Sequence, residues 1–255
     1  MLKYLRVIFF EFFPLTWAYF SWILRYSRHP EKYPIDVRFA KVQKLIRHVL
    51  KLFHVHYESI NVEYVQRKDD EMPRLIVCNH LSNADPLVFI ALMEKPISFV
   101  AKKETEKFPF VGRIIKILDG VFMDRSDLKQ SLKVMKTVEK NLSIVDGFDY
   151  VIFPEGTRNK NPETEAVEFH HGSFRPGVKA NAEILQFALY GTFRVFNKHI
   201  NWKNIPVEIK YIDKYTEEDY KKTTTPELAS KAHDLVVSEV NELRKLDEDL
   251  IKELN

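Results

Sequence analysis

The stretch that decides the fold is Leu75-Ile-Val-Cys-Asn-His-Leu-Ser-Asn-Ala-Asp-Pro-Leu87. Its first four residues are apolar and predict a buried strand. Asp85-Pro86 predicts the start of a helix, because Asp accepts hydrogen bonds from a free helix end and Pro fits the first turn. In α/β proteins, side chains that follow the carboxyl end of a strand face the crevice where ligands bind. His80 is therefore a candidate general base, and Asp85 is a candidate partner that would hold the imidazole in one tautomer.

The same segment also has a purely structural interpretation. Asp before Pro is what helix capping alone would select, and a histidine at a strand end need not be catalytic. If the pair is catalytic, no serine or cysteine nucleophile is required, provided that the substrate brings its own hydroxyl. The rest of the sequence decides between these interpretations.

Predicted strands and helices alternate from residue 59 to the end of the chain. This order predicts an α/β domain with a largely parallel central sheet flanked by helices, and antiparallel pairing stays open at the sheet edges. The predicted strands lie near residues 59–66, 74–79, 97–101, 120–124, 149–153, 183–190 and 205–212. The predicted helices lie near residues 85–93, 109–118, 127–144 and 226–253, and the last is expected to pack on the core.

The composition is that of a folded protein. A chain of 255 residues with 45% hydrophobic and 29% charged residues can bury one sizeable core, which excludes extensive disorder. The only cysteine, Cys78, lies in a predicted strand, so we expect a small core residue in a reducing compartment and no intrachain disulfide. We find no metal-ligand spacing and predict no metal site.

Residues 1–57 differ from the rest of the chain in charge and aromatic content. They hold ten Lys and Arg against three acidic residues, a net charge of +7, so the remainder carries −4 of the total +3. The first 28 residues also contain ten aromatic residues. We predict no nucleic-acid partner, because no zinc-finger, RNP or helix-turn-helix signature accompanies the basic residues. An anionic membrane surface fits this combination of aromatic and basic side chains better.

This N-terminal region predicts an amphipathic two-helix membrane-binding element. The apolar segment Val7–Leu24 barely reaches spanning length and is interrupted by Glu11 and Pro14, so we expect a helix in the membrane interface rather than a span. No small-residue cleavage site follows, which disfavours a signal peptide. A second helix is predicted at residues 36–55, with apolar and basic residues on different faces, and packing on the core with a solvated basic face is its alternative role. We therefore predict a membrane-associating element, 1–57, and an α/β domain, 58–255, on the cytoplasmic face.

Charged residues follow three further predicted strands. Phe99-Val-Ala-Lys-Lys103 and Gly120-Val-Phe-Met-Asp-Arg125 end in cations, and Val151-Ile-Phe-Pro-Glu-Gly-Thr-Arg158 ends in an acid, a glycine and an arginine. If these strands are parallel, their cations meet His80 at one sheet edge and suit a phosphate. Taken singly, each segment also fits a local ion pair, a turn or a solvated loop.

The ordered set resembles a known family. Asn79-His80 with Asp85, Gly120 with Asp124-Arg125, and Phe153-Pro-Glu-Gly-Thr-Arg158 match in order and spacing the first three motifs of the glycerolipid acyltransferases, in particular the bacterial 1-acyl-sn-glycerol-3-phosphate acyltransferases. Ala101-Lys-Lys-Glu104 also resembles the connecting segment of that family. The similarity covers about residues 59 to 192.

The resemblance implies a function and a set of site residues. It implies transfer of a fatty acyl group from acyl-CoA or acyl carrier protein to the free hydroxyl of 1-acylglycerol 3-phosphate, which forms phosphatidic acid without a cofactor. His80 would be the general base and Asp85 its orienting partner. The phosphate of the substrate would be held by Lys102, Arg125, Glu155, Gly156, Thr157 and Arg158. The alternatives are an acyltransferase acting on glycerol 3-phosphate or another lysophospholipid, and a membrane-bound lipid-binding protein without turnover.

The fourth motif of the family is altered in this sequence. The Phe-x-x-Gly part is present as Phe169-His-His-Gly172, with His170 in place of the usual basic residue. In the following strand the family has two prolines, whereas this chain has Glu183 and Gln186. Because the resemblance links this motif to the acyl donor, the change bears on donor choice.

Overall fold

A seven-stranded sheet forms the centre of the molecule in the described part of the chain. The computed structural model describes residues 13–162, 167–197, 199–200 and 203–254. In chain order the strands are β1 (Val55–Ile60), β2 (Leu75–Cys78), β3 (Ile97–Lys102), β4 (Val121–Met123), β5 (Asp149–Ile152), β6 (Ile184–Tyr190) and β7 (Ile205–Tyr215).

Helices and short 3-10 turns connect the strands. Helix α1 covers residues 13–28, contains a π-helical turn at Tyr19–Ile23 and ends as Leu24–Arg28. The other helices are α2 (Ile35–Leu52), α3 (Asp85–Leu92), α4 (Val111–Ile117), α5 (Leu128–Leu142), α6 (Arg175–Ala180), α7 (Glu217–Lys222) and α8 (Thr225–Leu254). The 3-10 turns are Pro30–Lys32, Val62–Val65, Lys103–Lys107, His171–Ser173 and Thr192–Arg194.

The strand order is β1-β7-β6-β2-β5-β3-β4. Strands β2 to β6 all run in the same direction, so the carboxyl ends of β2, β3, β4 and β5 lie at one edge. Strand β7 is antiparallel to β6, and β1 is parallel to β7. The prediction of a largely parallel sheet flanked by helices is thus confirmed, and the two reversed strands occupy one end of the sheet.

Both faces of the sheet are buried. Ile76 and Cys78 belong to the core beneath α1 to α4, whereas Leu75 and Val77 belong to the core beneath α5, α6 and α8. Neighbouring residues of a strand point to opposite faces, so burial on both sides requires the continuous apolar run that β2 shows.

Two predicted boundaries near the first strand are wrong. The strand predicted at residues 59–66 lies earlier, at β1, because Asn61 adopts a left-handed conformation (φ 62°) and a 3-10 turn follows it. The second helix ends at Leu52 rather than residue 55, since His54 is also left-handed (φ 53°). The short helices α6 and α7 were not predicted, although Pro176 lies in the first turn of the first of them and a Thr216–Asp219 capping box begins the second.

The N-terminal helices pack against the domain. Residues Phe39, Val42, Ile46 and Leu50 of α2 are buried in the core, so the apolar face of this helix has the packing role that was the alternative to a membrane-facing one. None of the helices formed by described residues is long and apolar enough to cross a membrane. Residues 1–12, with Glu11 and much of the predicted first helix, lie outside the described residues, and the predicted boundary at 57/58 falls inside β1.

Candidate active site

His80 and Asp85 form a hydrogen-bonded pair at the carboxyl end of β2. The Nδ1 atom of His80 lies 2.6 Å from Oδ2 of Asp85. Asp85 is fully buried, whereas the His80 side chain is 18% exposed. Because Nδ1 faces the carboxylate, Nε2 is the ring nitrogen that can face a substrate. The arrangement is that of a base with an orienting acid.

Asp85 does not act as a helix cap. Its Oδ2 accepts the backbone N–H of Leu81 at 2.7 Å and of Ser82 at 2.9 Å, both of which precede α3, and its Oδ1 accepts the hydroxyl of Thr192. Helix α3 begins without a side-chain cap. The Asp85 carboxylate therefore bonds to the loop after β2 and to the His80 ring rather than to the free N–H groups of the helix end.

The ring and backbone of His80 are held from several sides. The Phe153 ring stacks on the imidazole, with centroids 4.3 Å apart and planes 17° from parallel. The backbone N–H of Asn159 donates to the His80 carbonyl at 2.7 Å. Buried Asn79 bonds through its side-chain amide to both backbone groups of Leu189 at 2.9 Å, which joins the end of β2 to β6.

Glu155 also bonds to the loop after β2, which carries His80. One of its carboxylate oxygens accepts the backbone N–H of His80 at 2.7 Å, and the other accepts that of Val167 at 3.3 Å. The side chain is buried, and this burial raises the pKa of Glu155 to about 7. The structure thus bonds Glu155 to the main chain of the candidate base.

Arg125 and Gly156, predicted phosphate ligands, are brought together. Gly156 is left-handed (φ 65°), and a Cβ atom there would lie 3.9 Å from Cζ of Arg125 and 3.2 Å from Cδ2 of His170. Asp124 accepts hydrogen bonds from Lys103 and Ser126 rather than from Arg125, and the Ser126 and Lys103 bonds lower the pKa of Asp124 to about 2. The interpretation of Asp124-Arg125 as a local ion pair is therefore wrong.

The remaining predicted phosphate ligands are exposed. Thr157 and Arg158 follow Gly156 on the surface of the loop after β5. Lys102 ends β3, and its Nζ pairs with Glu104 at 3.2 Å. All three lie at the carboxyl-end edge of the sheet, Lys102 as the last residue of β3 and the other two on the loop after β5.

The altered fourth motif forms an irregular strand. Gln186 is fully buried in β6, and the pairing of β6 with β7 shifts register between Gln186 and Phe187. Glu183 precedes β6 and pairs with Lys214. The strand is therefore irregular at Gln186, although it lacks the two prolines of the family motif.

Thr192 and Phe153 are site residues that the sequence reasoning missed. The signal for Phe153 is an aromatic residue directly before Pro154-Glu155, at the end of a strand predicted to lie in the same sheet as that of His80. Thr192 follows Gly191 at the end of β6, and a glycine and hydroxyl pair at that edge is a weak signal. Across the described ranges, no three His, Cys, Asp or Glu side chains gather in a way that could hold a metal ion.

The chain belongs to the acyltransferase family. The family model described as Acyltransferase matches residues 56–190, just over half of the chain, and includes the His80–Asp85 pair and the loop after β5.

Similarity to particular proteins extends this result. The probable 1-acyl-sn-glycerol-3-phosphate acyltransferase of Mycoplasma pneumoniae is 32% identical over 173 residues, which are 66% of this chain and 61% of the relative. The 1-acyl-sn-glycerol-3-phosphate acyltransferase of Borreliella burgdorferi is 32% identical over 130 residues, 49% of each chain. The chain thus spans about three fifths of the Mycoplasma relative and half of the Borreliella one.

A solved structure shares the fold. The crystal structure of the 1-acyl-sn-glycerophosphate (LPA) acyltransferase PlsC from Thermotoga maritima superposes with a TM-score of 0.71 at 22% identity. The alignment covers 94% of this chain and 95% of that one, so the fold is common to nearly the whole of both.

Proposed function

We propose that this protein transfers a fatty acyl group from an acyl thioester to the free hydroxyl of 1-acylglycerol 3-phosphate, which forms phosphatidic acid. The observation that carries the proposal is the 2.6 Å contact between His80 Nδ1 and Asp85 Oδ2 at the sheet edge where Arg125 and Gly156 meet. Membership of the acyltransferase family and the names of the relatives support the choice of reaction.

The proposed mechanism uses the acceptor hydroxyl as the nucleophile. Nε2 of His80 takes the hydroxyl proton as the oxygen attacks the thioester carbonyl, and Asp85 stabilises the imidazolium that forms. The tetrahedral intermediate then expels the thiolate, which receives the proton from His80. A base of this kind contributes on the order of 10²- to 10⁴-fold, so orientation and oxyanion stabilisation supply the rest. Neither a metal nor a cofactor is needed, because the thioester is already activated.

The acceptor phosphate is assigned to the loops after β4 and β5. Arg125 and Arg158 can each grip phosphate oxygens with a planar fork, and Gly156 lets backbone N–H groups approach. Thr157 would add a hydroxyl donor, and Lys102 would add a more distant positive charge. Glu155 has a different proposed role, because a buried carboxylate bonded to the His80 backbone holds the loop rather than the anion.

Helix α1 is the proposed membrane contact. Phe13, Trp17 and Phe20 are 78%, 72% and 69% exposed, which is unusual for large aromatic side chains unless another surface covers them. Such residues prefer the lipid headgroup zone, and the +7 charge of residues 1–57 would attract anionic lipid. We therefore propose that the protein lies on the cytoplasmic face of a membrane, where lysophosphatidic acid and an acyl-CoA or acyl carrier protein donor meet.

Thioester consumption by the purified protein tests the proposal. Lysophosphatidic acid, glycerol 3-phosphate and lysophosphatidylcholine are each offered with acyl-CoA and with acyl carrier protein as donors. We expect the highest kcat/KM with lysophosphatidic acid and loss of turnover in His80→Ala. A protein that binds the lipids but releases no thiol with any pair would be a lipid-binding protein, and a preference for glycerol 3-phosphate would reassign the acceptor.

A further inference from the structure

A buried hydroxyl beyond the matched family region contacts the candidate catalytic pair. Thr192 is fully buried, and its hydroxyl donates to Oδ1 of Asp85. The family model ends at residue 190, and 107 residues separate the two partners in sequence. We propose that Thr192 is a positioning residue that fixes the Asp85 carboxylate for its work on His80. This inference rests on the proposed function.

The two carboxylate oxygens of Asp85 accept different numbers of hydrogen bonds. Oδ2 accepts hydrogen bonds from the His80 ring and from the backbone N–H groups of Leu81 and Ser82. Among the described residues, Oδ1 accepts a hydrogen bond from the Thr192 hydroxyl alone. A buried carboxylate oxygen without a donor is costly, so loss of this hydroxyl would favour rotation or protonation of the carboxylate. Either change would disturb the contact between Oδ2 and the ring.

The turn that carries Thr192 is anchored on the side of β2. The hydroxyl of Ser82 donates to the Thr192 carbonyl at 3.0 Å, so the loop after β2 and the turn after β6 bond to each other in both directions. On its other side the turn lies close to β7 at Gly191, whose backbone is left-handed (φ 85°) and where a Cβ atom would lie 2.4 Å from the Pro206 carbonyl oxygen. The position of the hydroxyl is therefore fixed relative to Asp85.

The same turn is anchored to the last helix. Arg194, two residues after Thr192, forms a two-pronged ion pair with Asp247 of α8, and the two side chains are 6% and 3% exposed. The guanidinium also packs 4.7 Å from the centre of the Phe193 ring. Buried paired charges of this kind specify one geometry, because either partner alone would be left uncompensated. Helix α8 thus reaches the catalytic pair through Arg194 and Thr192.

The chemical role of Thr192 follows from the negative charge of the Asp85 carboxylate, which accepts its hydrogen bond. A hydroxyl that donates to a carboxylate stabilises the anion and directs the other oxygen to the ring. Without the donor, the carboxylate is free to turn away from Nδ1, and it then stabilises less well the imidazolium that forms during the reaction.

Two variants separate positioning from packing. Thr192→Val keeps the shape and removes the donor, whereas Thr192→Ser keeps the donor. In thioester assays with the purified protein, we expect Thr192→Val to lower kcat about tenfold with unchanged KM, the scale of one hydrogen bond to a charged group. The pH profile of its kcat/KM should differ from that of the wild type. Thr192→Ser should stay within about threefold of the wild type in kcat, with an unshifted profile.

A spectroscopic readout makes the result independent of turnover. The His80 Nδ1 proton, bonded to Asp85, should give a low-field proton NMR signal in the substrate-free protein that moves or disappears in Thr192→Val and persists in Thr192→Ser. An unchanged signal together with an unchanged pH profile in folded Thr192→Val would overturn the inference. If that variant fails to fold, Thr192→Ala is judged by the same two measurements. If the wild-type protein turns over no acceptor, the proposed function fails, and the NMR comparison still decides the role of Thr192.

Discussion

Glu155 and His80 are joined through the main chain: a buried carboxylate oxygen of Glu155 accepts the His80 backbone N–H at 2.7 Å. The Glu155 carboxylate therefore supports the loop after β2 through its backbone, whereas Phe153 of the same loop stacks on the imidazole. The Glu155 carboxylate makes these hydrogen bonds only in the folded site. It also introduces an ionisable group beneath the candidate base, which makes the stability of the site depend on pH.

The first prediction concerns Glu155→Gln and the pH dependence of stability. Burial raises the pKa of Glu155 from 4.5 to about 7 in the folded protein, so between these pH values the unfolded chain has lost a proton that the folded chain retains. Stability from this group is therefore present below about pH 4.5 and is lost as pH rises to about 7, by up to about 3 kcal/mol. Glutamine cannot ionise. Urea unfolding from pH 5 to 8 should show a difference between the two proteins that changes over this window, and parallel curves would contradict the burial argument.

The second prediction compares Asp85→Asn with His80→Ala. Asparagine can accept the N–H groups of Leu81 and Ser82, and the Thr192 hydroxyl can turn to accept from its amide, so the variant should fold. It cannot stabilise an imidazolium, and we expect turnover to fall on the order of 10²- to 10⁴-fold. His80→Ala should be at least as slow. Circular dichroism verifies the folds, and a folded Asp85→Asn with wild-type kcat would remove Asp85 from the mechanism.

The third prediction concerns Arg158. Arg158→Ala should lower kcat/KM for lysophosphatidic acid about tenfold or more, because a charge-assisted contact to the phosphate is lost. The matched control is Arg158→Lys, which keeps the charge without the planar fork and should recover part of the activity. A monoacylglycerol acceptor, which lacks the phosphate, should be affected much less. Equal losses on both acceptors would show that Arg158 is structural.

The fourth prediction concerns the exposed aromatic residues of α1. A triple change of Phe13, Trp17 and Phe20 to serine should weaken binding to anionic vesicles at least about tenfold, since each aromatic ring buries a large apolar area. The melting temperature should change little, because these side chains are exposed.

The matched control for this prediction is Leu128→Ser. Leu128 is 74% exposed but begins α5, which packs on the opposite face of the sheet from α1. Its vesicle affinity should equal that of the wild type. Raised salt should weaken wild-type binding only in part, because screening acts on the charges and not on the rings. If the triple variant binds vesicles as tightly as the wild type, α1 is not the membrane contact.

Most elements of the fold could be predicted because their signals are local. The apolar run of β2 and the helical periodicity of α2 and α5 depend on nearby residues, and they are placed within a few residues of the prediction. The first strand was misplaced because apolar residues continue on both sides of Asn61, and only its left-handed backbone ends the strand. The strand order had no local signal, since long-range pairing determines it.

In the candidate site, too, a contact between near neighbours could be predicted from the sequence, whereas long-range contacts could not. His80 and Asp85 are five residues apart, so their contact could be inferred from spacing. Thr192 and Phe153 reach the pair from other strands, and nothing near them in sequence indicates which side chain they contact. Glu155 was predicted as a site residue by its motif, but its hydrogen bond to the His80 backbone became visible only in three dimensions.

The pairing of β1 with β7 has a consequence for synthesis. Among the described strands β1 pairs with β7 alone, and Val55 lies opposite Ile205, 150 residues later in the chain. At about 5 to 20 residues per second, a ribosome releases β1 roughly 8 to 30 s before its partner exists. During this interval the first strand has an open edge that other chains could pair with. The sheet of the nascent protein can therefore be completed only after β7 has been synthesised. Strand β1 is the segment that a chaperone would need to shield longest.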